Sequence, residues 1–156
     1  MLFSALDRIK DENFVISVIG QAYSQIPDAF VNGKERFTDK IINWGFIPSR
    51  TDYINVINSA DIAISTADHE FFGVTMVEAA LAGCLCIVPN ALSYPEIFSK
   101  EVRYNTEAQL AKMLKQAIRS GRERILKKAK DMNFEEVYKN QFSAEVVCQK
   151  VLQSFK

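Results

Sequence analysis

The stretch that decides the fold is residues 69–83, HEFFGVTMVEAALAG, in which an aromatic-glycine turn opens a helix. An apolar run at residues 61–65 (DIAIS) precedes this turn and is typical of a β-strand. The turn therefore leaves the carboxyl end of a strand, and ligands of open α/β sheets bind at that edge. We expect a ligand site where the strand ends and the helix begins.

The helix predicted over residues 74–82 carries apolar side chains on two faces with almost no polar interruption, which predicts a buried helix. Glu78 lies one turn inside it. Helical side chains lean toward the helix N-terminus, so this carboxylate is expected to reach back toward the turn. It shares a face with Thr75, Ala79 and Ala82.

The turn itself offers a site for phosphate. The backbone N–H groups of Phe72, Gly73 and Val74 are expected to lack intrahelical partners and, with the helix dipole, to favour phosphate oxygens. Gly73 has no Cβ, so a ligand can approach the backbone there. Carboxylates are repelled by phosphate, so Glu70 and Glu78 are better placed to accept hydrogen bonds from neutral hydroxyls. This combination suits a nucleotide sugar.

The two glutamates with seven residues between them and an internal Phe-Gly resemble the donor-site motif of retaining GT-B glycosyltransferases of family 4. Three wider segments resemble the C-terminal half of the tRNA-queuosine α-mannosyltransferase group. They are residues 42–53 (INWGFIPSRTDY), 60–79 (ADIAISTADHEFFGVTMVEA) and 92–98 (LSYPEIF). The resemblance runs from about residue 14 to about residue 104.

This resemblance implies a fold and roles for the two acids. The fold is α/β, a Rossmann-like doubly wound parallel sheet flanked by helices, which forms one half of a GT-B enzyme. Glu70 is implied as the catalytic residue that contacts the hexose hydroxyls, positioning and stabilising the sugar while the departing phosphate helps to deprotonate the acceptor. Glu78 is implied to bind the ribose hydroxyls. The nearest group implies GDP-mannose as donor and queuosine in tRNA as acceptor.

Other expected donor contacts lie at neighbouring strand ends. Phe46 and Ile47 leave a strand at the same sheet edge, where related enzymes hold the base, although Phe46 in the core is an alternative interpretation. Gly20 ends the first strand where the superfamily often has G-x-G. Ala22 stands in place of the second glycine, which puts a close sugar-phosphate contact there in doubt.

Several side chains have an ordinary interpretation beside the functional one. His69 either packs and hydrogen-bonds as a structural residue or orients Glu70. Glu96 is interpreted first as an acid at a helix start. A basic cluster is interpreted as a solvated helix face in preference to a tRNA contact. Its members are Arg119, Arg122, Arg124, Lys127, Lys128 and Lys130.

Composition fits one compact domain over residues 1–156, with 48% hydrophobic and 24% charged residues. The formal net charge of zero does not indicate nucleic-acid binding by this chain alone. No apolar run approaches the ~18 residues of a membrane span, and the N-terminus lacks a signal-peptide layout, so we expect a cytoplasmic protein. The spacing of Cys84, Cys86 and Cys148 favours reduced thiols, with no metal and no cofactor besides the donor substrate.

Strands and helices alternate, which predicts a parallel sheet. Strands are predicted at residues 14–19, 40–44, 61–65, 85–88 and 102–104, and helices at 2–10, 27–37, 50–59, 74–82, 107–120, 122–132 and 135–155, with a short helix near Pro95. Ser49 and Asp52 resemble a capping box for the helix at 50–59.

GT-B enzymes place the active site between two such domains, and this chain supplies one. The resemblance therefore implies a donor-binding half whose partner, an N-terminal acceptor domain, is absent from this chain. Two other functions stay open: a glycosyltransferase for a lipid or cell-envelope acceptor, and a non-catalytic sugar-nucleotide binding module. Both acids are retained, which argues against the second, since a sensor has no need to orient the hexose.

Overall fold

The computed structural model describes residues 1–20, 28–143 and 146. The strands in this part of the chain are β1 (Ile16–Ile19), β2 (Ile41–Gly45), β3 (Ile62–Ile64), β4 (Leu85–Pro89) and β5 (Arg103–Tyr104). The helices are α1 (Leu2–Asp7), α2 (Asp28–Arg36), α3 (Arg50–Ser59), α4 (Val74–Leu81), α5 (Tyr94–Ile97), α6 (Glu107–Ser120), α7 (Arg122–Asp131) and α8 (Phe134–Phe142). Short 3-10 turns precede β2 and β5.

All described strand pairs are parallel, as predicted. β1 pairs with β2, and β4 lies between β3 and β5. The hydrogen-bonded ladders form a two-stranded and a three-stranded sheet rather than one unbroken sheet. Val18 of β1 and Ile64 of β3 pack against the same buried cluster, so the two sheets share a core. The predicted α/β class with parallel strands and flanking helices is confirmed.

β4 holds the core together because it is buried on both faces. Cys86 and Val88 belong to a cluster with α4 and α5, whereas Ile87 belongs to a second cluster with α1 and α6. Successive side chains of a strand point to opposite faces, so one strand serves both clusters. A strand covered on both sides by helices is typical of parallel sheets.

Most predicted boundaries agree with the structure to within a few residues. The helices α3 and α6 begin and end where the sequence predicts. Ser49 caps α3 by accepting a hydrogen bond from the backbone N–H of Asp52 at 3.2 Å. Pro27 and Ala22 lie outside the described residues, and so does the predicted helix beyond residue 143 apart from Val146.

The prediction that α4 is a buried helix holds for one face and is wrong for the rest of the helix. Met76, Val77 and Ala79 are buried, but Val74 and Leu81 are 58% and 48% exposed. The contacts of α4 with β3, β4 and α8 leave its two end residues open to solvent. Apolar periodicity shows which side chains can be buried, and the neighbouring elements decide which of them are.

The described cysteines are buried thiols, as predicted. Cys84 donates a hydrogen bond to the carbonyl of Ala60 at 3.3 Å, and Cys86 donates to the carbonyl of Met76 at 3.4 Å. Burial raises the pKa of Cys84 to about 11 and also raises the pKa of Cys86. Cys148 lies outside the described residues. Within the described ranges, no group of three or more His, Cys, Asp or Glu side chains is placed to hold a metal ion.

No helix in the described part of the chain is long and apolar enough to cross a membrane.

Candidate functional site

The turn between β3 and α4 is shaped by Gly73, the residue immediately before the helix. Gly73 has a φ of +80°, in the left-handed region that favours glycine. A Cβ at this position would lie 2.8 Å from Cε1 of Tyr94. The expectation that Gly73 leaves room for a ligand is therefore corrected, because the space beside its Cα is filled by the Tyr94 ring.

A buried hydrogen-bonded network of Ser65, Tyr94 and Tyr104 supports the loop that leads into this turn. Oγ of Ser65, at the carboxyl end of β3, lies 2.8 Å from the Tyr94 hydroxyl and accepts from the backbone N–H of Ala67 at 3.3 Å. The Tyr104 hydroxyl donates to the Ser65 carbonyl at 2.8 Å. Burial raises the pKa of Tyr104 to about 12 and also raises the pKa of Tyr94. Both phenols therefore stay protonated at neutral pH and hold the loop to α5 and β5.

Glu70 lies on this loop and interacts with the turn itself. Its Oε1 accepts a hydrogen bond from the backbone N–H of Phe72 at 3.2 Å. The Phe72 amide, expected to be free, is thus occupied by the chain's own carboxylate. The charge of Glu70 also contributes to the raised pKa of Tyr94, after burial. An anion favoured at a helix N-terminus is already present, so a phosphate there has to share or displace it.

His69, beside Glu70, is exposed, so it is not a buried packing residue. Phe71 is fully exposed and Phe72 is 37% exposed. Phe72 makes an edge-on contact with Phe142 of α8, with ring centroids 6.0 Å apart. The loop thus presents polar and aromatic side chains to solvent on one side while Tyr94 supports it on the other.

Glu78, one turn into α4, is held by two side chains of α3. Arg50 Nη2 donates to Glu78 Oε1 at 2.6 Å, and the Tyr53 hydroxyl donates to Oε2 at 2.7 Å. The hydrogen bond from Arg50 is the main cause that lowers the pKa of Glu78. The Glu78 side chain keeps 28% of its surface exposed. It is therefore an ionised acceptor with a fixed orientation and access to solvent.

The carboxyl ends of β1 and β2 lie side by side. The backbone N–H of Gly20 donates to the carbonyl of Gly45 at 3.1 Å. Among the described residues, no atom lies within 4 Å of a Cβ built at either glycine. Phe46 follows and is 64% exposed, while Ile47 is half-buried. The alternative interpretation of Phe46 as a core residue is wrong, and its ring is free to contact a flat ligand.

The predicted site residues thus fall into two groups. One comprises the turn and the start of α4, with His69, Glu70, Phe72, Gly73, Val74, Thr75 and Glu78. The other comprises the ends of β1 and β2, with Gly20, Phe46 and Ile47. Arg50 joins them, because it begins the helix that follows β2 and binds Glu78 in the first group.

Sequence reasoning missed Arg50, Tyr53 and Tyr94. Arg50 and Tyr53 are three residues apart on α3, and residues at that spacing lie on one face of a helix. Two hydrogen-bond donors on one face, in the helix that follows a strand end, are a signal that they serve the same acceptor. Tyr94 lay in a segment whose first interpretation was the start of a helix. Glu96 does lie in the first turn of α5, as that interpretation expected.

The basic cluster on α6 and α7 is consistent with a solvated face. Arg119 pairs with Glu12 at 2.7 Å and Arg122 pairs with Asp61 at 2.8 Å. Arg124, Lys127, Lys128 and Lys130 are exposed. Two hollows of about 250 and 380 Å³ lie beside these helices. Residues such as Ile125, Met132 and Phe134 line them, and they contain no residue of the candidate site.

Comparison with known proteins shows the family to which this chain belongs. Residues 1–133 match the family described as glycosyl transferases group 1. Over 143 residues the chain is 41% identical to the tRNA-queuosine alpha-mannosyltransferase of Drosophila melanogaster, covering 92% of this chain and 37% of that protein. The chain thus spans less than half the length of this relative.

Two solved structures share the fold. A glycosyltransferase from Rickettsia africae ESF-5 superposes with a TM-score of 0.69 at 24% identity, over 99% of this chain and 42% of that one. Anabaena HepE in complex with UDP superposes with a TM-score of 0.72 at 18% identity, over 97% of this chain and 43% of that one.

Proposed function

Because the chain belongs to the glycosyl transferases group 1 family, we propose that it is the nucleotide-sugar-binding domain of a retaining glycosyltransferase. The observation that carries this proposal is the placement of two carboxylates on either side of one helix start. Glu78 is held ionised by Arg50 and Tyr53, and Glu70 lies on the loop that enters the helix. Carboxylates are acceptors of hydroxyl groups, and sugars are rich in hydroxyls.

Each part of a nucleotide sugar has a matching group in this proposal. The diphosphate binds at the start of α4, where backbone N–H groups and the helix dipole favour anions. The base lies against Phe46 and Ile47, beside the backbone of Gly20, near which the described residues place no atom within 4 Å of a built Cβ. The ribose hydroxyls donate to Glu78, and the hexose hydroxyls donate to Glu70.

The reaction proposed for Glu70 is positioning rather than covalent catalysis. The bond between the anomeric carbon and the phosphate oxygen breaks while an acceptor oxygen bonds to the same face of that carbon. The departing phosphate takes the acceptor proton, and the start of α4 stabilises its charge. Glu70 holds the hexose and stabilises the positive charge that develops on the sugar ring. His69 is exposed and directly precedes Glu70 in the sequence, and its proposed role is to orient Glu70.

We propose GDP-mannose as the donor and queuosine in tRNA as the acceptor, supported by the 41% identity to the Drosophila relative. Since the chain spans 37% of that relative, the acceptor surface is proposed to lie on a second domain. The proposed enzyme works in the cytoplasm, where tRNA is found, and needs no metal ion or bound cofactor.

Calorimetry of the chain with GDP, UDP, GDP-mannose and UDP-glucose tests the donor assignment. We expect weak binding, because half of the cleft is contributed by another domain, with GDP and GDP-mannose bound more tightly than the uridine ligands. Tighter binding of UDP would show that the base is uracil and not guanine, and the proposed enzyme class would stand. Absence of binding for all four ligands would contradict the proposed function.

The acceptor is tested separately with the full-length protein and radiolabelled GDP-mannose. We expect label to be transferred to tRNA that contains queuosine and not to the same tRNA prepared without it. Transfer to a lipid fraction instead would contradict the tRNA assignment while supporting the donor assignment. Donor binding without transfer to any acceptor would favour the non-catalytic binding module.

A further inference from the structure

Arg50 and Tyr53 form a closed arrangement with Glu78. Each oxygen of the Glu78 carboxylate has its own donor, Arg50 Nη2 on Oε1 and the Tyr53 hydroxyl on Oε2. The two donors also contact each other, since the Arg50 guanidinium carbon lies 5.1 Å from the centre of the Tyr53 ring. A cation at this distance from an aromatic face is attracted to it. The orientation of the carboxylate is therefore set from two sides.

The hydrogen-bonding capacity of Glu78 is half used by these contacts. An ionised carboxylate accepts about four hydrogen bonds, two on each oxygen. Arg50 and Tyr53 supply two, and the side chain keeps 28% of its surface open. Counting the contacts of the described residues, one acceptor position is thus left on each oxygen. Two neighbouring hydroxyls of one molecule match such a pair of acceptors.

The protonation states of the three groups suit this arrangement. Burial raises the pKa of Tyr53, so its hydroxyl keeps the proton that it donates. The hydrogen bond between Arg50 and Glu78 raises the pKa of the guanidinium and lowers the pKa of the carboxyl. At neutral pH both donors therefore donate, and Glu78 accepts without competition from its own proton.

A role limited to joining helices explains these contacts poorly. The Arg50 side chain is 66% exposed, and exposed ion pairs contribute little to stability. Arg122 makes a pair of similar exposure with Asp61, at 69% and 34%. What sets the Arg50 pair apart is the second donor from Tyr53 on the other carboxylate oxygen. The hydrogen bond from Tyr53 fixes the orientation of the Glu78 carboxylate more than it adds to the stability of the fold.

We propose that Arg50 and Tyr53 are positioning residues, which orient Glu78 so that its two open acceptor positions receive the vicinal 2′- and 3′-hydroxyls of a nucleotide ribose. This inference rests on the proposed function, because it names the residues that prepare one part of the same site. The preference for a ribonucleotide then depends on Arg50 and Tyr53 of α3 as well as on Glu78 of α4.

The test compares GDP with 2′,3′-dideoxy-GDP on the unmodified chain, on Arg50→Gln and on Tyr53→Phe. Without one of its two donors, the Glu78 side chain has to be ordered when the ligand binds, so we expect each variant to bind GDP about tenfold more weakly. Binding of the dideoxy analogue is expected to stay the same, because it has no hydroxyls for Glu78 to accept. Arg122→Gln, which loses a pair of similar exposure elsewhere, is the control and should leave both affinities unchanged.

The other outcomes separate this inference from the proposed function. If both variants lose affinity for GDP and for the dideoxy analogue equally, the residues act on the fold, and the inference is overturned. The same holds if Glu78→Gln abolishes the preference for GDP while Arg50→Gln and Tyr53→Phe retain it. If the unmodified chain binds neither nucleotide, the proposed function fails and the inference fails with it.

Discussion

The two glutamates on either side of the α4 helix start are held in different ways. Glu78 is fixed by side chains of another helix, Arg50 and Tyr53, at 2.6 and 2.7 Å. Glu70 accepts, among the described contacts, from the backbone of Phe72 two residues further along the same loop, at 3.2 Å. A carboxylate held by a packed neighbour is ready before a ligand arrives, whereas one held by its own turn can exchange that bond for a ligand. This contrast fits a ribose contact made in the ground state and a sugar contact made during reaction.

The turn that separates the two acids is expected to be the most sensitive position. Gly73→Ala adds a Cβ 2.8 Å from Tyr94 at a φ of +80°, so we expect a loss of about 2–4 kcal/mol in the free energy of unfolding. Gly83→Ala is the matched control, with a φ of +90° and no atom of the described residues within 4 Å of the added Cβ. Urea unfolding followed by circular dichroism measures both. Equal losses would show that the Tyr94 contact does not constrain the turn.

Substituting the two acids themselves tests the contrast directly. Glu78→Ala removes the acceptor that is proposed for the ribose, and we expect GDP binding to weaken by ~1–3 kcal/mol in calorimetry. Glu70→Ala should leave GDP binding nearly unchanged and lower transfer by the full-length enzyme. Glu107→Ala, which also loses an arginine partner at 3.0 Å, controls for the loss of an ion pair. The assigned roles are wrong if Glu78 and Glu70 variants lose GDP affinity equally.

The hydrogen bond between Tyr94 and Ser65, which supports the loop that carries Glu70, is tested by removing the Tyr94 hydroxyl. Tyr94→Phe leaves the buried Ser65 hydroxyl without one of its partners, at a cost of about 1 kcal/mol in the free energy of unfolding. Tyr53→Phe removes a hydroxyl from a half-buried ring and is expected to cost less stability while costing more GDP affinity. Guanidinium unfolding paired with calorimetry measures both effects. If Tyr94→Phe instead costs more GDP affinity than Tyr53→Phe, the loop that carries Glu70, and not α3, prepares the nucleotide site.

The smallest expected effect is the pH dependence of the stability that the Arg50–Glu78 pair contributes. Arg50 lowers the pKa of Glu78 below its usual 4.5 in the folded chain. The stabilisation from this pair is therefore present above that usual value and is lost as the pH falls through the lower folded value. The difference in unfolding free energy between the unmodified chain and Arg50→Gln should shrink over that acid range. A difference that stays constant with pH would show that Glu78 titrates normally.

Local features of the sequence predicted most of the framework. The start of α3 follows from Ser49 as a cap, and α4 follows from the apolar repeat after Gly73, because both signals act within one turn of the chain. The parallel pairing follows from the alternation of strands and helices. The separation into a two-stranded and a three-stranded ladder does not follow from that alternation, since hydrogen bonding between strands depends on their spacing in three dimensions.

The details of the site depend on contacts between distant segments. Arg50 and Glu78 are 28 residues apart, and the choice of that partner for Arg50 is fixed by where the fold places α3 relative to α4. The Tyr94 ring beside Gly73 is likewise a tertiary contact, so the glycine was interpreted as space for a ligand. The hydrogen bond from Phe72 to Glu70 is local, and a carboxylate two residues before a backbone N–H is a pattern that sequence reasoning can use.

The hydrogen bond from the Tyr104 hydroxyl to the Ser65 carbonyl joins positions 39 residues apart in the chain. During synthesis, the ribosome releases the loop between β3 and α4, which carries Glu70, before it releases β5. Contacts between such distant positions form late, because the intervening chain has to close first. The loop that follows β3 is therefore expected to reach its final conformation only after Tyr104 has docked.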